Sequence, residues 1–224
     1  MSQQEKSPTR PLFVVLEGID GAGTTTQLRR LCAHLEASGR RTHATREPST
    51  GPTGVLLREL LLGRHRLPDG QAADRHAMVL LFAAHWRDHL RREIGPALAA
   101  GLDVVSDRYL MSSLAYQAED AERDWVASLA RALRPPDLTL LLDVPVEVAA
   151  ARRRAAGRVV ENDDDELLRR VAEKYRRLAG ADPTAAIIDA SGSIDEVAEA
   201  VALEVRALLA ARSARAIVMK KLAK

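Results

Sequence analysis

Residues 18 to 27 read GIDGAGTTTQ. A glycine loop of this kind turns backbone N–H groups inward on a phosphate, helped by the positive end of a following helix. The usual pattern is G-x-x-x-x-G-K-[ST]. Gly18 and Gly23 occupy the glycine places and Thr25 the hydroxyl place, where its oxygen can ligate Mg2+. The lysine place holds Thr24. A lysine there neutralises charge on the β- and γ-phosphates as the phosphoryl group moves. Threonine offers one neutral hydrogen bond. Losing a charged transition-state contact costs on the order of a hundred- to a thousand-fold in rate. Either another cation supplies the charge, or the loop binds without turnover.

Other segments hold suitable groups. Arg152, Arg153, Arg154 and Arg158 precede the acidic run Asp163, Asp164, Asp165 and Glu166. They could close over phosphates, although charge runs commonly just face water. In SDRYLMSSLAYQ, residues 106–117, Asp107 ends an apolar run, where a carboxylate can hold Mg2+. Arg108 beside it can grip a phosphate through two hydrogen bonds. In TREPSTGPTGVLLRELLL, residues 45–62, Arg46 and Glu47 stand at another strand end and Arg58 on a helix. Phe82 in LLFAA either stacks on a base or packs in the core.

The elements that position these groups follow from hydrophobic patterning. LFVVLEG (12–18), THATREP (42–48), LDVVSD (102–107), LTLLLDV (138–144) and AAIIDAS (185–191) read as strands, several of them apolar enough to be buried. Leu28, Leu31, Cys32 and Leu35 form a helical stripe after the glycine loop, with Gly39 as its stop. Further helices are expected over 54–62, 74–100 with a bend or end at Gly95-Pro96, 109–133 in two pieces, 166–179 and 194–211, and one opening at Pro145. Residues 157 to 165 read as a mobile loop. This alternation predicts an α/β fold, a doubly wound parallel sheet of about five strands with helices on both faces. Ligands of such sheets bind beyond the carboxyl ends of the strands, so the loops after 17, 46, 107 and 143 should line one crevice.

Composition narrows the function. The chain has 224 residues, 46% hydrophobic and 29% charged, with a net charge of +2 that is no nucleic-acid signature. Aromatics are 3%, so the core must come from Leu, Val, Ile and Ala. Cys32 is the only cysteine, which excludes an internal disulfide and a cysteine-based zinc site. No apolar run approaches the roughly 18 residues that span a membrane. The polar N-terminus MSQQEKSPTRP lacks a signal-peptide core. No membrane role and a cytoplasmic location are expected.

Taken together, FVVLEGIDGAG-TTTQL, TREP followed by LRELLL, LLFAA, DRYLMSSLAYQ, PDLTLLLDVPVEVAAARRR and IIDAS resemble the thymidylate kinases in one colinear order over residues 12 to 211. The resemblance implies a P-loop nucleoside monophosphate kinase core, transfer of a phosphoryl group from ATP to dTMP, Mg2+ and a homodimer. It implies a leader over 1–11, one domain over 12–211 with a lid at about 152–166, and a basic tail over 212–224. Gly18, Ile19, Asp20, Gly21, Ala22, Gly23, Thr24, Thr25 and Thr26 fall on the family's ATP-binding loop, with Thr25 and Asp107 at the metal. Glu47, Arg58, Phe82, Arg108, Ser113 and Gln117 fall on the acceptor site, Arg58 and Arg108 at the phosphate and Phe82 on the base. Asp20 would be catalytic. Gly21 occupies the place where one branch carries a catalytic arginine, which leaves the lid, with Arg158 first and Arg154 next.

Three departures stand out. Thr24 replaces the lysine. REPSTGPTG stands where the family usually reads REPGGTPIG. Trp86 stands where an arginine commonly bonds to thymine, and Arg87, about 100° further round the helix, cannot simply replace it. Two alternatives therefore stay open. One is a non-catalytic nucleotide-binding protein, and the other is a kinase of a different nucleoside monophosphate.

Overall fold

The computed structural model describes residues 10–116, 123–131, 133–157 and 165–222. Among these residues, five strands form one parallel sheet: β1 (Phe13–Glu17), β2 (Thr42–Arg46), β3 (Asp103–Asp107), β4 (Leu138–Asp143) and β5 (Ala185–Asp189). Their order is β2-β3-β1-β4-β5. β1 sits at the centre, with Val14 opposite Val105 on one side and Leu138 on the other. Such a strand is covered on both faces, which explains its unbroken apolar run. Val14 and Leu16 point into a core shared with α1 (Thr24–Ala37) and α9 (Ile194–Leu222). Phe13 and Val15 point into another core with Ile94, Ala97 and Tyr109.

Between these lie α2 (Pro52–Leu61), α3 (Arg75–His89), α4 (Gly95–Ala99), α5 (Leu110–Tyr116), α6 (Arg123–Ala130), α7 (Val146–Ala155) and α8 (Asp165–Ala181). The helix expected over 74–100 neither breaks nor stops at Gly95-Pro96. A π-helical turn, Leu90–Ile94, joins α3 to α4. Proline has no N–H and crowds the carbonyl of an ordinary α-turn, and a wider turn removes that conflict. Gly95 allows the close approach, because a Cβ there would lie 2.8 Å from the Leu90 carbonyl oxygen.

The last helix also differs from expectation. It does not end at Ala211 but runs to Leu222, through part of the stretch read as a basic tail. No glycine or proline interrupts it, and Arg212 pairs with Asp137 at 2.5 Å. α8 starts at Asp165, inside the stretch read as a loop. Arg158 and the rest of the acidic run before Asp165 lie outside the described residues, as do Gln117 and most of the leader. Among the described residues no helix is long and apolar enough to cross a membrane.

Candidate active site

The loop between β1 and α1 is shaped by its small residues. Gly21 has φ +95°, and a Cβ on it would lie 2.4 Å from the Ala149 carbonyl oxygen in α7. No side chain fits there, so any catalytic arginine must come from elsewhere. Gly23 precedes α1 with φ 101°, and among the described residues no side chain caps the helix. The first backbone N–H groups of α1 are therefore available to an anion. Asp20 through Gln27 line a cavity of about 400 Å³.

The register of the parallel sheet brings further groups to the same edge. Leu16 and Arg46 both lie opposite Asp107, so β1, β2 and β3 end level with one another. Glu47 lines the cavity from the loop after β2, and Asp107 and Arg108 line it from the end of β3 and the loop after it. The loop after β4 does not line it, contrary to expectation. Val144 is buried, and α7 starts at once behind Pro145. The loop after β5 takes its place through Gly192, Ser193 and Ile194.

Within the cavity Thr25 Oγ1 donates to Asp107 Oδ2 at 2.5 Å. A hydroxyl and a carboxylate beside a phosphate nest are the hard oxygen donors that Mg2+ takes. Arg108, at φ 75°, donates from Nη2 to Asp20 Oδ1 at 2.5 Å and lies 5.4 Å from the centre of the Tyr116 ring. Its Nη1 is 3.5 Å from Tyr175 Oη.

Several expected residues lie elsewhere. Gly18 and Ile19 do not line the cavity, and the Ile19 side chain is buried in the core. Arg58 donates to the Pro48 carbonyl at 2.5 Å, holding the loop after β2 from outside the cavity. Phe82 packs with Leu57, Val79, Trp86, Val126 and Ala130. Trp86 is fully buried in that cluster, its Nε1–H without a hydrogen-bond partner among the described residues, while Arg87 is exposed. Ser113 is buried in α5. Arg154 is exposed and does not line the cavity.

The structure also selects among the arginines of the run and brings in residues that the motif reading passed over. Arg153 is 3% exposed and donates from Nη1 to the Asp20 carbonyl at 2.6 Å. A signal for it was present: Val146, Ala149, Ala150 and Arg153 share one helical face, all buried. Glu17 is wholly buried at the end of β1. Its Oε1 accepts from the Tyr109 backbone N–H at 2.9 Å, and its Oε2 accepts from Ser112 Oγ at 2.5 Å and Tyr175 Oη at 3.3 Å. Burial pushes this carboxyl up to about 7 against those donors. Glu47 is likewise raised by burial, opposed by a hydrogen bond from His89. Burial and the neighbouring His89 push His85 down to about 4. Neither histidine could be found from a local motif, because the partners Thr45, Glu47, Ser49 and Thr53 lie 32 to 44 residues earlier in the chain.

The family model described as Thymidylate kinase matches residues 16–201. The chain belongs to the thymidylate kinase family. A protein of Thermococcus gammatolerans named "Probable thymidylate kinase" is 42% identical over 190 residues, covering 83% of this chain and 91% of that protein. The "Thymidylate kinase" of Bifidobacterium longum subsp. infantis is 41% identical over 206 residues, covering 88% and 87%. That of Solidesulfovibrio magneticus is 40% identical over 205 residues, covering 85% and 96%. The thymidylate kinase sheet and loop expected from the motifs are thus present in the observed order.

Proposed function

We propose that the chain transfers the γ-phosphoryl group of ATP to dTMP, giving ADP and dTDP, and does so with Thr24 in the lysine place. One observation carries this proposal. Two guanidinium groups, Arg108 and Arg153, converge on Asp20 from different elements, and both line the cavity beside the glycine loop. The backbone N–H groups of the loop hold phosphates without a lysine, and the arginines bring positive charge to the region where the moving phosphoryl group spreads negative charge. Arg153, with Arg152 beside it in the cavity lining, would supply this charge in place of the exposed Arg154, while Arg158, also expected in that role, lies outside the described residues. Mg2+, held by Thr25 and Asp107, would neutralise charge on the phosphates. Arg108 and Glu47 would face the acceptor. Phe82, packed with Trp86 in one apolar cluster, would meet the base.

Residues 12–211 act as one catalytic unit in this proposal, with a lid at about 152–166. A homodimer fits the apolar side chains left exposed on neighbouring helices: Val55, Leu56 and Leu61 of α2 and Leu80 of α3. Light scattering of the purified protein reads that state directly. A cytoplasmic location fits a protein that uses ATP and has a single cysteine.

The deciding experiment is ADP release from ATP and Mg2+ with dTMP, with dUMP, dCMP, dGMP and AMP alongside. Turnover selective for dTMP supports the proposal. Nucleotide binding without turnover overturns it, and preference for another acceptor moves the substrate.

A further inference from the structure

We propose that His85 and His89 are positioning residues that set the Glu47 carboxylate in the phosphoryl-transfer site. The proposal rests on the kinase function above. The two lie one turn apart on α3, with rings stacked 5.5 Å apart at 9°. Their side chains are at most 1% exposed. Together they hold alternate residues of the chain leaving β2. His89 Nε2 is 2.8 Å from Thr45 Oγ1, His89 Nδ1 is 3.1 Å from Glu47 Oε1, and the Ser49 backbone N–H donates to His85 Nε2 at 3.2 Å.

The hydrogen bonds dictate where the protons sit. A backbone N–H can only donate, so His85 Nε2 accepts and its proton sits on Nδ1. That proton points to Thr53 Oγ1 at 3.1 Å, whose own hydrogen goes to Asp88 Oδ2 at 3.1 Å. His85 is therefore locked as a neutral ring, the form its depressed pKa favours. His89 Nδ1–H donates to the Glu47 carboxylate, and its Nε2 faces the Thr45 hydroxyl and Glu93 Oε2 at 3.4 Å. On its other side the Glu47 backbone N–H donates to the Asp107 carbonyl at 3.0 Å. Glu47 is thus held by its side chain to α3 and by its backbone to the end of β3, and the residue lines the cavity. This clamp acts on the altered turn REPSTGPTG, where Ser49 supplies one of its contacts.

The amide substitutions separate the two nitrogens. His89→Asn places an amide near the Nδ1 position and can still donate to Glu47. His89→Gln places it near Nε2 and keeps only the Thr45 side. We expect His89→Gln to lose about tenfold in kcat, the worth of one hydrogen bond, with the KM for ATP unchanged, and His89→Asn to recover most of that loss. His85→Gln, which keeps an acceptor for Ser49 N–H, should likewise exceed His85→Asn. Thermal melts of all four variants provide the control. Equal kcat across each pair, or losses that follow melting temperature alone, overturn the proposal. Absence of turnover in the native protein is a different result and would defeat the kinase function itself.

Discussion

Arg153 donates a 2.6 Å hydrogen bond to the backbone carbonyl of Asp20, tying α7 to the glycine loop. The guanidinium is thereby held beside the loop that lacks a lysine, in a cavity lined by the same two residues. Arg153→Ala should lower kcat on the order of a hundredfold, the typical effect of losing a charged transition-state contact. Arg154→Ala, an exposed change one residue away, should leave kcat close to native. Steady-state rates with both substrates saturating make the comparison, and equal rates for the two variants would remove Arg153 from the catalytic role.

Thr24 is 8% exposed at the first position of α1. If Arg108 and Arg153 already supply the positive charge, Thr24→Lys should change kcat by less than about tenfold. A jump from no turnover to strong turnover would show instead that the native loop is only a binding site.

Asp107 Oδ2 and Thr25 Oγ1 lie 2.5 Å apart. Asp107→Asn keeps the shape and removes the charge. The Mg2+ concentration for half-maximal rate should rise about tenfold or more, with the rate partly restored at saturating Mg2+. A Mg2+ titration that overlays the native curve would place the metal elsewhere.

Glu17 and His85 contribute to stability with opposite dependence on pH. Glu17 is raised from 4.5 to about 7, so the folded state keeps a proton that the unfolded state releases, and stability from this group falls as pH rises through that window. His85 is lowered from 6.5 to about 4, so the unfolded state takes a proton that the folded state refuses, and stability from this group falls as pH drops through that window. Glu17→Gln should therefore gain stability relative to native as pH rises from 4.5 to 7. His85→Gln should gain relative to native as pH falls from 6.5 to 4. Each gain is at most about 3 kcal/mol. Urea unfolding at successive pH values measures both, and differences that stay constant with pH would show that neither group is shifted.

The sheet was legible because each buried strand announces itself locally. Apolar runs such as LFVVLEG and LTLLLDV follow from being covered on both faces, and the helix after the loop from its period of 3.6. The glycine loop was legible because a phosphate nest needs small residues at fixed spacing. Thr25, Asp107, Asp20, Glu47 and Arg108 were read from those motifs, and all five line the cavity.

Tertiary structure decided the rest. Whether Arg153 or Arg154 faces the cavity depends on how α7 lies against the loop, which no local pattern of charges specifies. Arg153 turns inward with the face it shares with Val146, Ala149 and Ala150, a spacing the sequence shows but whose burial the packing of α7 decides. The contacts of His85 and His89 with Thr45, Glu47 and Ser49 join positions 36 to 44 residues apart in the chain, and the packing of α3 creates them. Local sequence determines which elements form, because periodicity and turn geometry act over a few residues. Which side chains then meet is set by packing between elements remote in sequence, as where Arg153 meets the Asp20 carbonyl and His89 meets Glu47.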